Sequence, residues 1–133
     1  MILMIIFSML FLHIIADFLV QNEFMAKFKQ KKEWDRYFHD DKMSDNLVCP
    51  NKYKHDYIPV LFVHAFSWAF ITYLPLLYYK CYWYYVWLIL IQTLIHAYVD
   101  DTKCNKLKIN LITDQTIHLL QIIISFIICK IFI

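Results

Sequence analysis

"MILMIIFSMLFLHIIADFLV", residues 1–20, is apolar at every position except Ser8, His13 and Asp17. Twenty helical residues rise about 30 Å, the thickness of the hydrocarbon core of a bilayer. The stretch therefore reads as a membrane-crossing helix. It carries no basic n-region and no small-x-small cleavage site, which argues against a removable secretory signal. Three further apolar runs follow, and in hydrocarbon a backbone of this length satisfies its own hydrogen bonds as helix. The expected fold is all-α: one transmembrane domain over 1–133, a four-helix bundle with spans at about 1–21, 58–79, 82–100 and 109–131. Composition points the same way. With 61% hydrophobic, 19% aromatic and only 18% charged residues in 133, there is too little polar surface for an ordinary soluble domain.

Eleven of the 13 basic residues fall on two connectors. Lys27, Lys29, Lys31, Lys32, Arg36, Lys42, Lys52 and Lys54 lie between the first two runs, and Lys103, Lys106 and Lys108 between the last two. The positive-inside rule places both connectors in the cytoplasm and both termini outside. The charged segment 22–57 should begin as an amphipathic extension of the first helix along the membrane surface. From His39 onward it should become an irregular, solvated loop, because Pro50 and an Asn/Asp/Ser cluster oppose helix. "YYKCYWYY", residues 78–85, reads as an interfacial aromatic belt. A net charge of +2 gives no reason to expect nucleic acid as a partner. Cys49, Cys81, Cys104 and Cys129 show no C-x-x-C pairing and read as ordinary thiols.

Against this apolar background, one pattern needs an explanation. His13 and Asp17 stand four residues apart, His96 and Asp100 repeat the spacing, and Asp114 and His118 reverse it. Residues four apart share a helix face. The first and third helices run inward and the fourth outward, so in all three the aspartate lies one turn, about 6 Å, nearer the cytoplasm than its histidine. His64 on the second helix joins the histidine layer. Gln21 and Gln92 extend the stripes, and Gln21, Gln92 and Lys103 are expected at the mouth of the site. Beyond the histidines only Ser8, Thr72, Gln121 and Ser125 are polar, so the chemistry is expected on one side. The first and third helices, sharing direction and motif, suggest two hairpins related by a pseudo-twofold along the membrane normal.

A buried His–Asp pair can be a structural link between helices. Ionisable groups inside a membrane are expensive, however, and usually mark function. His13, Asp17, His64, His96, Asp100, Asp114 and His118 form a mixed nitrogen and oxygen donor set suited to Zn, with Mn, Fe or Co as alternatives. There are enough donors for one or two ions per chain, and two would sit about 3.5–4 Å apart. Bound dications would also relieve the repulsion of three adjacent carboxylates. Asp17, Asp100 or Asp114 could instead serve as a general base.

"LHIIADFLVQNEFMAKFK", His64, "IHAYVDDTK" and "LITDQTIHLL" together resemble a family of small bacterial and phage membrane proteins known as domain of unknown function 3307. The resemblance runs over nearly the whole chain, through H-x-x-A-D-F-x-x-Q, a histidine in the second helix, H-x-x-x-D and D-Q-x-x-H. It implies His13, Asp17, Gln21, His64, His96, Asp100, Asp114, Gln115 and His118 as the functional set. It also implies a bacterial inner membrane, in a bacterial or phage-encoded protein. The charged segment before the second helix is longer than that family's usual link. The helices also look like those of membrane-bound metal-dependent hydrolases. The zinc phospholipase C and P1 nuclease fold is similarly all-helical with H-x-x-x-D ligands, an analogy of fold only.

The leading expectation is thus a metal-dependent hydrolase of a phosphoester or lipid-like substrate, opening to the cytoplasmic face, with Gln21, Gln92, Lys103 and Gln115 around the substrate. Its partners would be the bilayer, an amphipathic or phospholipid substrate, and a second copy in a homo-oligomer. The alternative is a divalent-metal or proton transport protein, which needs a polar path to the far side. A phage pore-forming or host-interaction protein is a weaker third reading.

Overall fold

A computed structural model describes residues 2–40, 53–79 and 82–132. Within these the chain is helical, with α1 (Ile2–Ile14), α2 (Glu23–Phe28), α3 (Lys31–Asp40), α4 (Tyr57–Tyr73), α5 (Tyr82–Cys104) and α6 (Leu111–Phe132). Much of the 39–56 loop, including Cys49, and the tip of the 78–85 belt, including Cys81, lie outside the described residues.

Among the described residues, three stretches are long and apolar enough to cross a membrane: Ile2–Val20, Tyr57–Tyr78 and Leu111–Ile131. The 23-residue α5 is not among them; its tyrosine- and tryptophan-rich start and its Gln92, His96 and Asp100 dilute its apolar character. The long helices are apolar on outward as well as inward faces. Phe7, Val63, Trp87, Leu94 and Ile124 are exposed, while Met9, Ala69, Tyr73 and Ile122 are fully buried. An all-round apolar helix is unusual in a water-soluble domain.

The first helix departs from its expected course. The α-helical ladder gives way at Ile15 to a π-helical turn over Ile15–Val20, and Gln21 is extended at φ −66°, ψ 99°. Asn22 then starts α2, its side-chain oxygen accepting from Met25 N at 2.8 Å, with Glu23 in the first turn. Asparagine competes for backbone hydrogen bonds and favours a cap over a helix interior. The segment after residue 21 is therefore no continuation of the first helix. It is two short helices folded back under the ionic end of the interior. Phe28 packs against Phe24, Trp34 and Tyr37 with ring centroids 4.8, 5.2 and 5.3 Å apart.

Elsewhere the ends follow from local chemistry. Pro75 has no N–H to give to Ile71, and α4 tightens there into a 3-10 turn over Leu74–Tyr79. Asn110 caps α6 through Thr113 N at 2.9 Å. In a chain with no glycine, α5 closes through Leu107 at φ 53°, a left-handed geometry that costs about 1–2 kcal/mol for an L-residue. Lys108 N reaches back to Thr102 O at 3.1 Å to complete the turn.

α4 packs along α5, α1 packs on α4, and α6 packs on α5 and α1. Cross-contacts such as Tyr85 to Phe70, Gln92 to Ser125 and Trp68 to His13 show sequence neighbours among these running antiparallel. Their shared interior divides in two. One end is an apolar core around Met9, Tyr73, Ile122 and Phe126. The other end holds the histidines and aspartates.

Candidate functional site

α1, α4, α5 and α6 bring His13, His64, His96 and His118 together as helical spacing suggested, and all are buried. Their common support is Trp68. Its ring stacks on His96 at 4.1 Å and 19°, lies 5.1 Å from His118, and meets His13 edge-on at 5.6 Å. His96 and His118 stack at 4.2 Å. In the sequence Trp68 looked like one more aromatic of an apolar run.

The aspartates sit above this layer, but pairs within a helix are not the closest ones. His13 to Asp17 and His96 to Asp100 each measure 3.9 Å, whereas His64 Nε2 lies 3.2 Å from Asp100 across two helices. Asp114 and His118 are 3.4 Å apart. Two lysines complete the arrangement. Lys29 Nζ donates to Asp100 Oδ2 at 2.5 Å and Lys103 Nζ to Asp114 Oδ2 at 2.6 Å. Lys103, expected at the mouth, is thus bonded to a carboxylate. Lys29 was not singled out from its basic segment, yet it is only 5% exposed. Gln21 accepts from Lys29 at 2.9 Å and donates to Asp17 O at 3.1 Å. Asn105 ties the turn at Lys29 to α5, its Oδ1 accepting from Lys31 N at 2.7 Å and its Nδ2 donating to Lys29 O at 3.4 Å.

The hydrogen bonds also assign lone pairs. The Trp68 indole donates to His13 Nδ1 at 2.9 Å, so His13 Nε2 carries the proton and faces Gln115 Oε1 at 3.2 Å. Both His13 nitrogens are engaged. Gln115 in turn donates to Asp17 at 3.0 Å and to Asp114 at 3.1 Å. Among the described residues, two groups are able to hold a metal ion: Asp17, His64 and His96, and separately His96, Asp100 and His118. His13 and Asp114 belong to neither group. Both groups need His96, and one imidazole nitrogen serves one ion.

The first group fits a tetrahedral ion better than its spacing alone suggested. Zinc bonds of 2.0–2.1 Å place neighbouring ligands about 3.3–3.4 Å apart. His64 and His96 Nε2 are 3.2 Å apart, and Asp17 Oδ1 lies 3.9 and 4.0 Å from them. The two nitrogens sit at zinc spacing and the Asp17 oxygen lies beyond it, while His64 Nε2 is also 3.2 Å from Asp100 Oδ2. Asp114 Oδ1 and His118 Nε2 have only each other, at 3.4 Å, and His96 Nδ1 is buried without a hydrogen-bond partner. Three carboxylates and two ammonium groups leave one negative charge while the imidazoles are neutral, a balance that favours a cation.

On the far side of the histidines the interior is less apolar than expected. His118 Nδ1 faces Gln121 Oε1 at 2.8 Å, Gln121 donates to Gln92 at 2.8 Å, and Gln92 donates to Ser125 Oγ at 2.7 Å. Ser125 Oγ lies 3.5 Å from Tyr73 OH. Gln92 belongs to this chain and not to the mouth. The links at 2.7–2.8 Å are direct, so the chain locks helices together and fixes the proton of His118 on Nδ1.

Access lies at the Asp end. A cleft of about 270 Å³ is lined by Asp17, Gln21, Lys29, Asp100, Lys103 and Gln115, with Phe18 and Leu111 among its other walls. Past the 82–100 stretch, burial pulls the pKa of Lys103 down, but its bond to Asp114 and the charge of Asp100 more than restore it, above the usual lysine value. Burial pushes the nearby Cys104 thiol up, which leaves it a protonated wall residue. No family model, no curated protein and no solved structure matches the chain.

Proposed function

We propose that this chain is a four-helix membrane bundle that hydrolyses a phosphoester, with one divalent transition metal, zinc foremost, held by Asp17, His64 and His96. The observation that carries the reading is a metal-capable triad one of whose members, Asp17, lines a cleft whose other charged walls are Lys29, Asp100 and Lys103. A dication turns the net charge of the cluster from −1 to +1, which suits a phosphoester anion. The metal would supply Lewis-acid stabilisation of charge developing on phosphorus oxygens. Lys29 and Lys103 would orient the anion, and Asp114, whose Oδ1 faces His118 Nε2 at 3.4 Å, would take a proton from the attacking water and return it to the leaving alcohol oxygen. Water adds to phosphorus, the P–O bond to the alcohol breaks, and the alcohol oxygen leaves protonated. The charge bias of the connectors supports a cleft that faces the cytoplasm.

Direct linkage of the far-side amides favours this reading over metal transport, because bonds of 2.7–2.8 Å leave no room for a metal ion between them. The test is elemental analysis of detergent-purified protein together with phosphate release and divalent-ion flux in liposomes. About one zinc per chain, lost in His64→Ala, with release abolished in Asp17→Asn, is expected. Metal flux without hydrolysis would overturn the enzyme reading. Labelling of Cys104 from outside intact cells would overturn the orientation.

A further inference from the structure

The cleft has two kinds of wall. Its floor is ionic, with Asp17, Lys29, Asp100 and Lys103, whereas Phe18 and Leu111 form an apolar side. Phe18 is 57% exposed and Leu111 56%; beside them Leu19 and Ile112 are exposed still further, at 75% and 77%. The π-helical turn over Ile15–Val20 is what sets Asp17 against the floor and the next residue, Phe18, at the edge. Such turns often occur at functional sites. The apolar side of the cleft thus comes from the two stretches Ile2–Val20 and Leu111–Ile131, which are long and apolar enough to cross a membrane. Its size matters too. At about 270 Å³ it falls below the roughly 300–1,000 Å³ of pockets that enclose a drug-sized ligand. There is room for a head group and not for an acyl chain.

We infer that the substrate is a membrane lipid with a phosphoester head group, which reaches the site sideways from the bilayer between Phe18 and Leu111. This rests on the hydrolase reading above. The head group enters the ionic floor, where Lys29 and Lys103 lie. The acyl chains stay in the hydrocarbon against Phe18, Leu19 and Ile112. A water-soluble phosphoester would gain nothing from an apolar edge on one side of a charged cleft. A lipid keeps its chains solvated throughout.

The test uses full-length protein loaded with zinc in liposomes. Phosphatidic acid and phosphatidylglycerol in the vesicles are compared with soluble glycerol 3-phosphate and glycerophosphoglycerol. The lipids should be turned over with kcat/KM at least about tenfold above their soluble counterparts. Phe18→Gln with Leu111→Gln should lower lipid turnover about tenfold and leave soluble turnover within about twofold. Leu120→Gln, at an exposed position farther along α6, controls for loss of apolar surface in general and should change neither. Equal turnover of lipid and soluble substrates, insensitive to the edge substitutions, would overturn lateral access while leaving the hydrolase in place. No turnover of any of them by zinc-loaded protein would remove the hydrolase reading, and lipid access with it. An equal loss in Leu120→Gln would show that the edge has no special part, which also overturns the inference.

Discussion

At the Asp end of the interior, His96 Nδ1 is buried with no hydrogen-bond partner, and Asp114 Oδ1 and His118 Nε2 have only each other, at a long 3.4 Å. At the opposite end Gln92, Gln121 and Ser125 join one another at 2.7–2.8 Å, and Thr72 Oγ1 is the exception. The neutral amides are used up in holding helices together. The ionisable groups keep free lone pairs beside carboxylates. An unsatisfied buried polar atom costs about 1–3 kcal/mol, so the ionic end is where stability is given up for a site able to take a cation. Lys29 and Lys103 offset part of that cost.

The largest expected effect tests whether Lys29 is a counter-ion to the cluster. Lys29→Met removes the nearest cation of buried Asp100 and leaves it His64 at 3.2 Å and Lys103 at 3.8 Å, which should lower the stability of metal-free protein by about 3 kcal/mol, the lower end for breaking a buried pair. Removing a positive charge should also strengthen zinc binding, so added zinc should raise the melting temperature more than in the parent. A variant as stable as the parent without metal would remove the ionic end's dependence on that pair.

His96→Gln comes next, because both metal-capable groups need His96. Zinc affinity by competition with a chelator should fall at least about 100-fold, above the 10–100-fold typical for an outer partner of a ligand. His13→Gln should matter less, since Trp68 and Gln115 already occupy both His13 nitrogens.

The opposite end should respond in stability more than in metal binding. Gln121→Leu strands the proton on His118 Nδ1 and a Gln92 oxygen, and should cost about 1–3 kcal/mol in thermal unfolding. If it weakened zinc binding as much as His96→Gln, the two ends would not be separable in function. The smallest change lies outside both. Leu107→Gly removes a left-handed leucine and should stabilise the protein by about 1 kcal/mol, less the flexibility glycine adds to the unfolded chain.

Much of the site was legible because helical periodicity is local. His13 with Asp17, His96 with Asp100, and Asp114 with His118 each report a face from spacing alone. The reversed order in α6 reports direction. The break after Gln21 left a weaker trace, an asparagine followed by glutamate, and an apolar run masked it. Lys29 left none that distinguished it from Lys27, Lys31 or Lys32. Its place depends on that break, on the turn held by Asn105 and on the position of α5, which lies 71 residues away from it in sequence. Gln92 was legible as a stripe residue and misplaced as a mouth residue, because a stripe shows which face a side chain takes and not what it meets there.

The amino-acid sequence by itself determined the helical class, three of the four expected stretches long and apolar enough to cross a membrane, and the histidines and aspartates that share a level. Those properties follow from composition and from a repeat of 3.6 residues. Only the tertiary structure decided which nitrogens are free, that His64 pairs with Asp100, that two lysines neutralise two aspartates, and that a chain of amides closes the far side. Each of these depends on a partner distant in sequence, and a hydrogen bond is made or lost within a few tenths of an ångström, a precision that spacing along one helix cannot supply.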